Sequence, residues 1–278
     1  MQTHSQIKTR RKPIKKLVFI VTIALTLLFL LSRRAPAGTV LDRILKKGEL
    51  VVGTTGTQPP LSMPAKSGEI IGLDADIAKL IATGLGVKIR FSKVLFSELI
   101  PALESGKLDM IISGMPMTPE RNAKVPFIGP YYVSGKGILL KEKSLVALDK
   151  EGLDSPKFKV AALKGSTSQA FVETVTPQAK LVAAASYDEA LDLLFQDKID
   201  MMVADFPFCL YCVSRYRDKG LTVRGGRLTF EPLGIGIRED ALLLNWLENF
   251  LKILAGTGDL NKLHDTWLKD RSWIKRLP

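Results

Sequence analysis

Cysteine and histidine are nearly missing from this chain. Its 278 residues include two of each, Cys209 and Cys212, His4 and His264. A structural zinc site takes four ligands at set spacings. The Cys209-Leu210-Tyr211-Cys212 pair would need two more, and one histidine stands at the extreme amino end. A redox pair would want a thioredoxin-like strand before it and a lowered thiol pKa. Small buried apolar residues or one local disulfide are the readings left, and an oxidising compartment favours the disulfide. Aromatic residues make up 7% of the chain, and no basic stripe interleaved with them is present, so nucleic-acid binding is not expected. No Ser-His-Asp set, metal cluster or P-loop is visible, and no metal or other cofactor is expected. Repeats of solenoid period and low-complexity tracts are absent. The longest uncharged apolar run, Leu17 to Leu31, is shorter than the ~20 residues a spanning helix wants.

The formal net charge of +12 is concentrated at one end. Residues 1–37 hold Lys8, Arg10, Arg11, Lys12, Lys15, Lys16, Arg33 and Arg34 and no acid, which leaves 32 basic against 28 acidic residues in the rest. A basic head followed by an apolar run is the build of an export signal, and Ala35-Pro36-Ala37 offers small residues for cleavage. Arg33-Arg34 and Pro36 beside the presumed cut make an uncleaved inner-membrane anchor over 17–31 the alternative. Either way the body from residue 38 is expected outside the cytoplasm, in the periplasm or its equivalent. No cysteine follows the run, which excludes a lipoprotein anchor.

The body alternates strand and helix. Strands are predicted at 49–54, 87–91, 109–113, 158–163, 180–184, 200–204 and 231–237. Helices are predicted at 72–85, 97–105, 166–174, 187–196, 241–255 and 260–268, with Pro207 opening another. This is an α/β pattern in two units of about a hundred residues, whose sheets would bind a ligand at the carboxyl ends of their strands. The loops at those ends carry hydroxyls, free amides, one arginine and one carboxylate. Arg121 is suited to clasp a carboxylate with two parallel hydrogen bonds. Ser166 and Thr167 open a helix whose free amides favour an anion. Asp205 ends the apolar strand Met201-Met202-Val203-Ala204 and can receive an ammonium. Taken alone, Arg121 also reads as a solvated surface arginine, and Asp205 or Thr167 as a helix cap.

The order of these motifs carries a resemblance. Leu41-Asp42-Arg43-Ile44, Gly48-Glu49-Leu50-Val51-Val52-Gly53-Thr54, Gly72-Leu73-Asp74-Ala75-Asp76-Ile77-Ala78 and Ser113-Gly114-Met115-Pro116-Met117-Thr118-Pro119-Glu120-Arg121 follow one another. Pro130-Tyr131-Tyr132, Lys164-Gly165-Ser166-Thr167, Asp200 to Asp205 and Gly256-Thr257-Gly258-Asp259-Leu260 complete the series. The body resembles the bacterial extracellular solute-binding family 3, the polar amino-acid receptors of ABC importers, from about Leu41 to Trp267.

The resemblance implies a two-lobed periplasmic binding protein fold of type II with two hinge crossings, near Val133–Gly137 and Leu228–Pro232. One lobe would hold 38–136 and 231–278, the other 137–230. Arg121 would bind the ligand's α-carboxylate and Asp205 its α-amino group. Thr167 and Ser166 would assist, Ser113 and Gly114 would give polar contacts, and Phe96 would lie against the ligand side chain. ABC transporter membrane subunits would be the partners. Three departures thin the site. Gln58-Pro59-Pro60-Leu61 replaces a Tyr-Pro-Pro-Phe-like stretch, Pro116 stands where a hydroxyl is common, and Thr55 where some members have a second acid. A membrane-anchored sensory role and a cyclohexadienyl-dehydratase-like enzyme are the competing functions.

Overall fold

The computed structural model describes residues 39–278. The export or anchor segment expected in residues 1–37 lies outside the described residues.

Two five-stranded sheets organise the body. In chain order the strands are β1 (Glu49–Thr54), β2 (Met63–Pro64), β3 (Ile70–Ile71), β4 (Lys88–Lys93), β5 (Met110–Ile111) and β6 (Phe127–Ser134). They continue with β7 (Lys136–Lys141), β8 (Lys159–Leu163), β9 (Lys180–Ala184), β10 (Met201–Asp205), β11 (Leu221–Arg224) and β12 (Glu231–Ile237). The first sheet runs β4-β1-β5-β12-β6 and the second β11-β7-β10-β8-β9. β1 is parallel to β4 and β5, while β12 is antiparallel to β5 and β6. In the second sheet β8 is parallel to β9 and β10, and β7 is antiparallel to β10 and β11. Strands such as β1 and β10 are apolar on both faces because helices cover both, and Leu50, Val52, Met201 and Val203 are fully buried. The type II binding-protein architecture follows directly: each sheet is one lobe.

The chain crosses between the sheets at Gly135, where β6 passes into β7, and again between β11 and β12. The two crossings are pressed together. A Cβ on Gly135 would stand 2.2 Å from the Thr229 carbonyl oxygen, so only glycine lets them touch. Lys136 N–H donates to Thr229 Oγ1 at 3.0 Å and Leu228 N–H to the Lys136 carbonyl at 2.9 Å.

The 109–113 and 87–91 readings shift by one or two residues at their ends, and the irregular stretch after β1 contains the short β2–β3 pair. β6 and β7 carry no clean alternation and were legible only as a crossing. The carboxyl-terminal helices Ala241–Gly256 and Asp259–His264 pack on the first lobe, where Trp267 Nε1 donates to Asp76 at 2.8 Å. The chain then reaches the second lobe: Trp273 stacks on Tyr211 with ring centroids 5.7 Å apart, and Arg215 donates to the Pro278 carbonyl.

Of the two readings of the cysteines, a local disulfide is not formed and the buried apolar one describes the structure. Cys209 and Cys212 are free thiols, both buried on the helix Phe206–Arg215. A three-residue step puts both on the buried side of that helix, with Phe208 and Tyr211. Burial pushes both thiols up in pKa, which leaves them packed as small apolar side chains.

Candidate functional site

In the first lobe the loops after β1 and β5 fold against each other. Thr55 N–H donates to Ser113 Oγ at 3.0 Å. Gly114 has φ +55, and a Cβ there would lie 2.7 Å from the Gln58 amide nitrogen, so the glycine makes room for Gln58. The Gly114 N–H donates to Asp74 Oδ2 at 2.7 Å, and Tyr131 Oη donates to Asp74 Oδ1 at 2.9 Å. Burial raises the Asp74 carboxyl to a pKa of about 7, against the two donors that favour its charged form. Asp74 thus fixes the Ser113–Gly114 loop from behind.

Arg121 sits in the turn Pro119–Asn122, capped by Thr118 and started by Pro119. Its guanidinium lies over the Phe96 ring, 5.4 Å from the centroid. Nη1 donates to the Pro116 carbonyl at 2.8 Å, and Nη2 crosses the cleft to the Gly165 carbonyl at 3.2 Å. Pro116, without hydroxyl or N–H, therefore contributes its carbonyl. Burial lowers the Arg121 pKa, with the Glu231 and Asp205 carboxylates opposing. Among the described residues no carboxylate lies within ion-pair distance of this half-buried cation.

The second lobe presents Asp205, the last residue of β10. Its side chain makes no cap bond to the helix that follows, so the capping alternative is set aside. Oδ1 accepts from Lys136 Nζ at 2.6 Å, and Oδ2 accepts from Tyr187 Oη at 3.1 Å and from Gln58 Nε2 of the opposite lobe. Lys136 Nζ is also 2.8 Å from Glu231 Oε2, which accepts from Thr167 Oγ1 at 2.9 Å. Burial works against the Lys136 charge, but the two carboxylates outweigh it and raise its pKa. One ammonium between two carboxylates leaves this cluster one negative charge in excess.

The structure thus brings Arg121, Phe96, Thr55, Gln58, Ser113 and Gly114 to one wall, and Asp205, Ser166 and Thr167 to the other. Several polar groups are already engaged within the protein. The Ser166 hydroxyl is the N-cap of Thr167–Val175, accepting from Ser168 and Gln169 and donating to the Leu163 carbonyl, so it offers nothing further. Thr167 is committed to Glu231, Ser113 to Thr55 and the Gly114 amide to Asp74. Three buried side-chain atoms have no partner among the described residues: Thr55 Oγ1, Gln58 Oε1 and Ser168 Oγ. Leaving such atoms unpaired costs about 1–3 kcal/mol each. Sequence reasoning missed Lys136, Glu231, Tyr187 and Asp74. A signal existed for Lys136, the lone charge between Val125 and Leu140. Tyr187 and Glu231 had none, since each reads as an ordinary end of an element.

A cavity of about 210 Å³ opens beside Phe96 between the lobes. Thr55, Thr57, Lys93 and Leu95 line it from the first lobe and Leu163, Ala185 and Ser186 from the second.

The glutamine-binding protein GlnH of Bacillus subtilis, an ABC transporter protein, is 32% identical over 73% of this chain and 75% of its own. The ABC transporter arginine-binding protein 1 of Escherichia coli is 29% identical over 77% of this chain and 88% of its own. A crystal structure of the ancestral amino acid-binding protein AncCDT-1, a precursor of cyclohexadienyl dehydratase, superposes with a TM-score of 0.77 at 38% identity, covering 83% of this chain and all of that one. The model of the bacterial extracellular solute-binding proteins, family 3, matches residues 50–270, and the chain belongs to that family.

Proposed function

We propose that the protein captures an α-amino acid by closing its two lobes on it and delivers it to the membrane subunits of an ABC importer. Arg121 receives the α-carboxylate. Asp205, in a cluster one negative charge in excess, receives the α-ammonium. The observation that carries this reading is the pairing of opposite, incompletely neutralised charges on the two facing walls: Arg121 without a carboxylate within ion-pair distance among the described residues, and Asp205 and Glu231 sharing the single ammonium of Lys136. A zwitterion completes both. Gln58 Nε2 now donates to Asp205 from across the cleft. An arriving ammonium takes that role, and the Gln58 amide turns its unpartnered oxygen to it.

The relatives named for arginine, glutamine and cystine bind ligands that share the α-carboxylate and α-ammonium and differ beyond them. That common part is what the Arg121 and Asp205 walls address. The protein acts by binding without chemistry: Asp74, the buried carboxyl with a pKa raised to about 7, is walled off by Tyr131 and Gly114. Residues 1–37 serve export, or anchor the body if they are not cut, and the lobes divide near residues 136 and 231.

A thermal-shift screen against the proteinogenic amino acids and their deaminated analogues tests this. A ligand at 100 times its Kd stabilises by about 2.7 kcal/mol, which raises Tm by roughly 5–11 °C in a body of this size. A shift by an amino acid and none by its keto acid supports the reading. A shift by the keto acid alone contradicts it.

A further inference from the structure

The interlobe cavity beside Phe96 is the space beyond the α-groups, and its chemistry is one-sided. Phe96 forms one wall of it and also lies beneath the Arg121 guanidinium, so a ligand held by Arg121 projects its side chain past this ring. Lys93, at the end of β4, lays its stem across Gly56 and lines the cavity. It forms no ion pair among the described residues. Thr55 and Thr57 add hydroxyls, and Thr55 Oγ1 is buried without a partner. Ser186 adds a hydroxyl from the other lobe, where its oxygen already accepts from the Glu189 amide as a helix cap. No aspartate or glutamate lines the cavity. Glu189, four residues beyond Ala185, turns its carboxylate onto the Ala185 N–H at 2.7 Å and is spent there.

Resting on the amino-acid reading above, we propose that this cavity selects a side chain ending in a carboxylate or carboxamide oxygen, with Lys93 as the discriminating cation and Thr55 as a hydrogen-bond partner. A guanidinium or ammonium side chain would enter a cavity that supplies one like charge and no counter-ion. Excluding a ligand by an unpaired like charge discriminates as effectively as attracting the right one. An oxygen-tipped side chain receives a donor from Lys93 and gives the Thr55 hydroxyl the partner it lacks.

Calorimetric titration of the purified protein with L-glutamate, L-glutamine, L-norvaline and L-arginine tests this. Glutamate or glutamine binds at least tenfold more tightly than norvaline and than arginine in the wild type. Lys93→Glu inverts the order of glutamate and arginine, and Lys93→Gln lowers glutamate affinity while sparing norvaline. Lys93 is exposed on an edge strand, so both variants fold, and unchanged circular dichroism checks this. Arginine bound more tightly than glutamate and glutamine, or an order indifferent to residue 93, overturns the inference. The amino-acid reading survives either result if Arg121→Ala still abolishes binding. Titration showing no amino acid bound, with a non-amino acid ligand from the wider screen unaffected by Arg121→Ala, removes both.

Discussion

Replacing Lys136 by methionine tests the charged cluster at the hinge. The methionine fills nearly the same space and removes the one ammonium that Asp205 and Glu231 share at 2.6 and 2.8 Å. All three groups are buried, Lys136 to 2% exposure. Removing one partner of a buried ion pair costs about 3–5 kcal/mol, because the remaining charge is left in a poor solvent. Here two carboxylates are left facing each other. Tyr187 and Gln58 still donate to Asp205, and Thr167 still donates to Glu231, which keeps the loss within that range. For a body of this size the loss lowers Tm by roughly 6–20 °C. Differential scanning calorimetry without ligand at neutral pH measures it. Adding Asp205→Asn and Glu231→Gln to the same variant removes the orphaned charges and restores most of the Tm. A Lys136→Met protein that melts within about 2 °C of the wild type refutes the reasoning, since it places the loss below the cost of any buried unpaired charge.

Two further outcomes follow from burial. Asp74 has a pKa raised from 3.8 to about 7, so the folded state holds its proton more tightly than the unfolded chain. Its contribution is therefore most favourable below the unfolded value and declines as pH rises to about 7, by on the order of 4 kcal/mol. Asp74→Asn should flatten the fall of Tm between pH 4 and 7, and an unchanged slope would count against it. Cys209 and Cys212, buried with raised thiol pKa, should resist a thiol reagent until the protein unfolds, and changing both to serine should leave ligand affinity within a few fold.

Much of the fold was legible because its strands are buried on both faces and its helices are bounded by glycine and capping residues. β12 was read residue for residue, as was the start of the helix at Ala241 behind its Asp240 cap. β6 and β7 were not read, since Gly129, Pro130, Gly135 and Gly137 interrupt the hydrophobic pattern and their pairing is set by distant strands. The candidate residues were found by type and order, and the structure gathers them at one cleft. What the sequence hid was their state. Only three-dimensional proximity shows that Lys136 and Glu231, 95 positions apart by their numbers, meet at Asp205. The hydroxyl of Ser166 looks available in sequence but is consumed by its own helix. The state of Cys209 and Cys212 was left open between buried apolar residues and a disulfide, and the structure has them as buried free thiols.

Titration of the wild type and Arg121→Ala with the amino acid identified by the thermal screen tests the central claim most directly. Arg121 is the half-buried cation of the cleft, and its loss strands a carboxylate that the closed lobes cannot otherwise pair. Truncating one partner of such a charge pair costs about 2–5 kcal/mol, or roughly thirty- to several-thousand-fold in Kd. Arg121→Lys recovers part of this, because an ammonium keeps the charge and loses the planar fork. The account predicts that loss in a protein whose Tm without ligand is close to the wild type. Equal affinity in wild type and Arg121→Ala contradicts it.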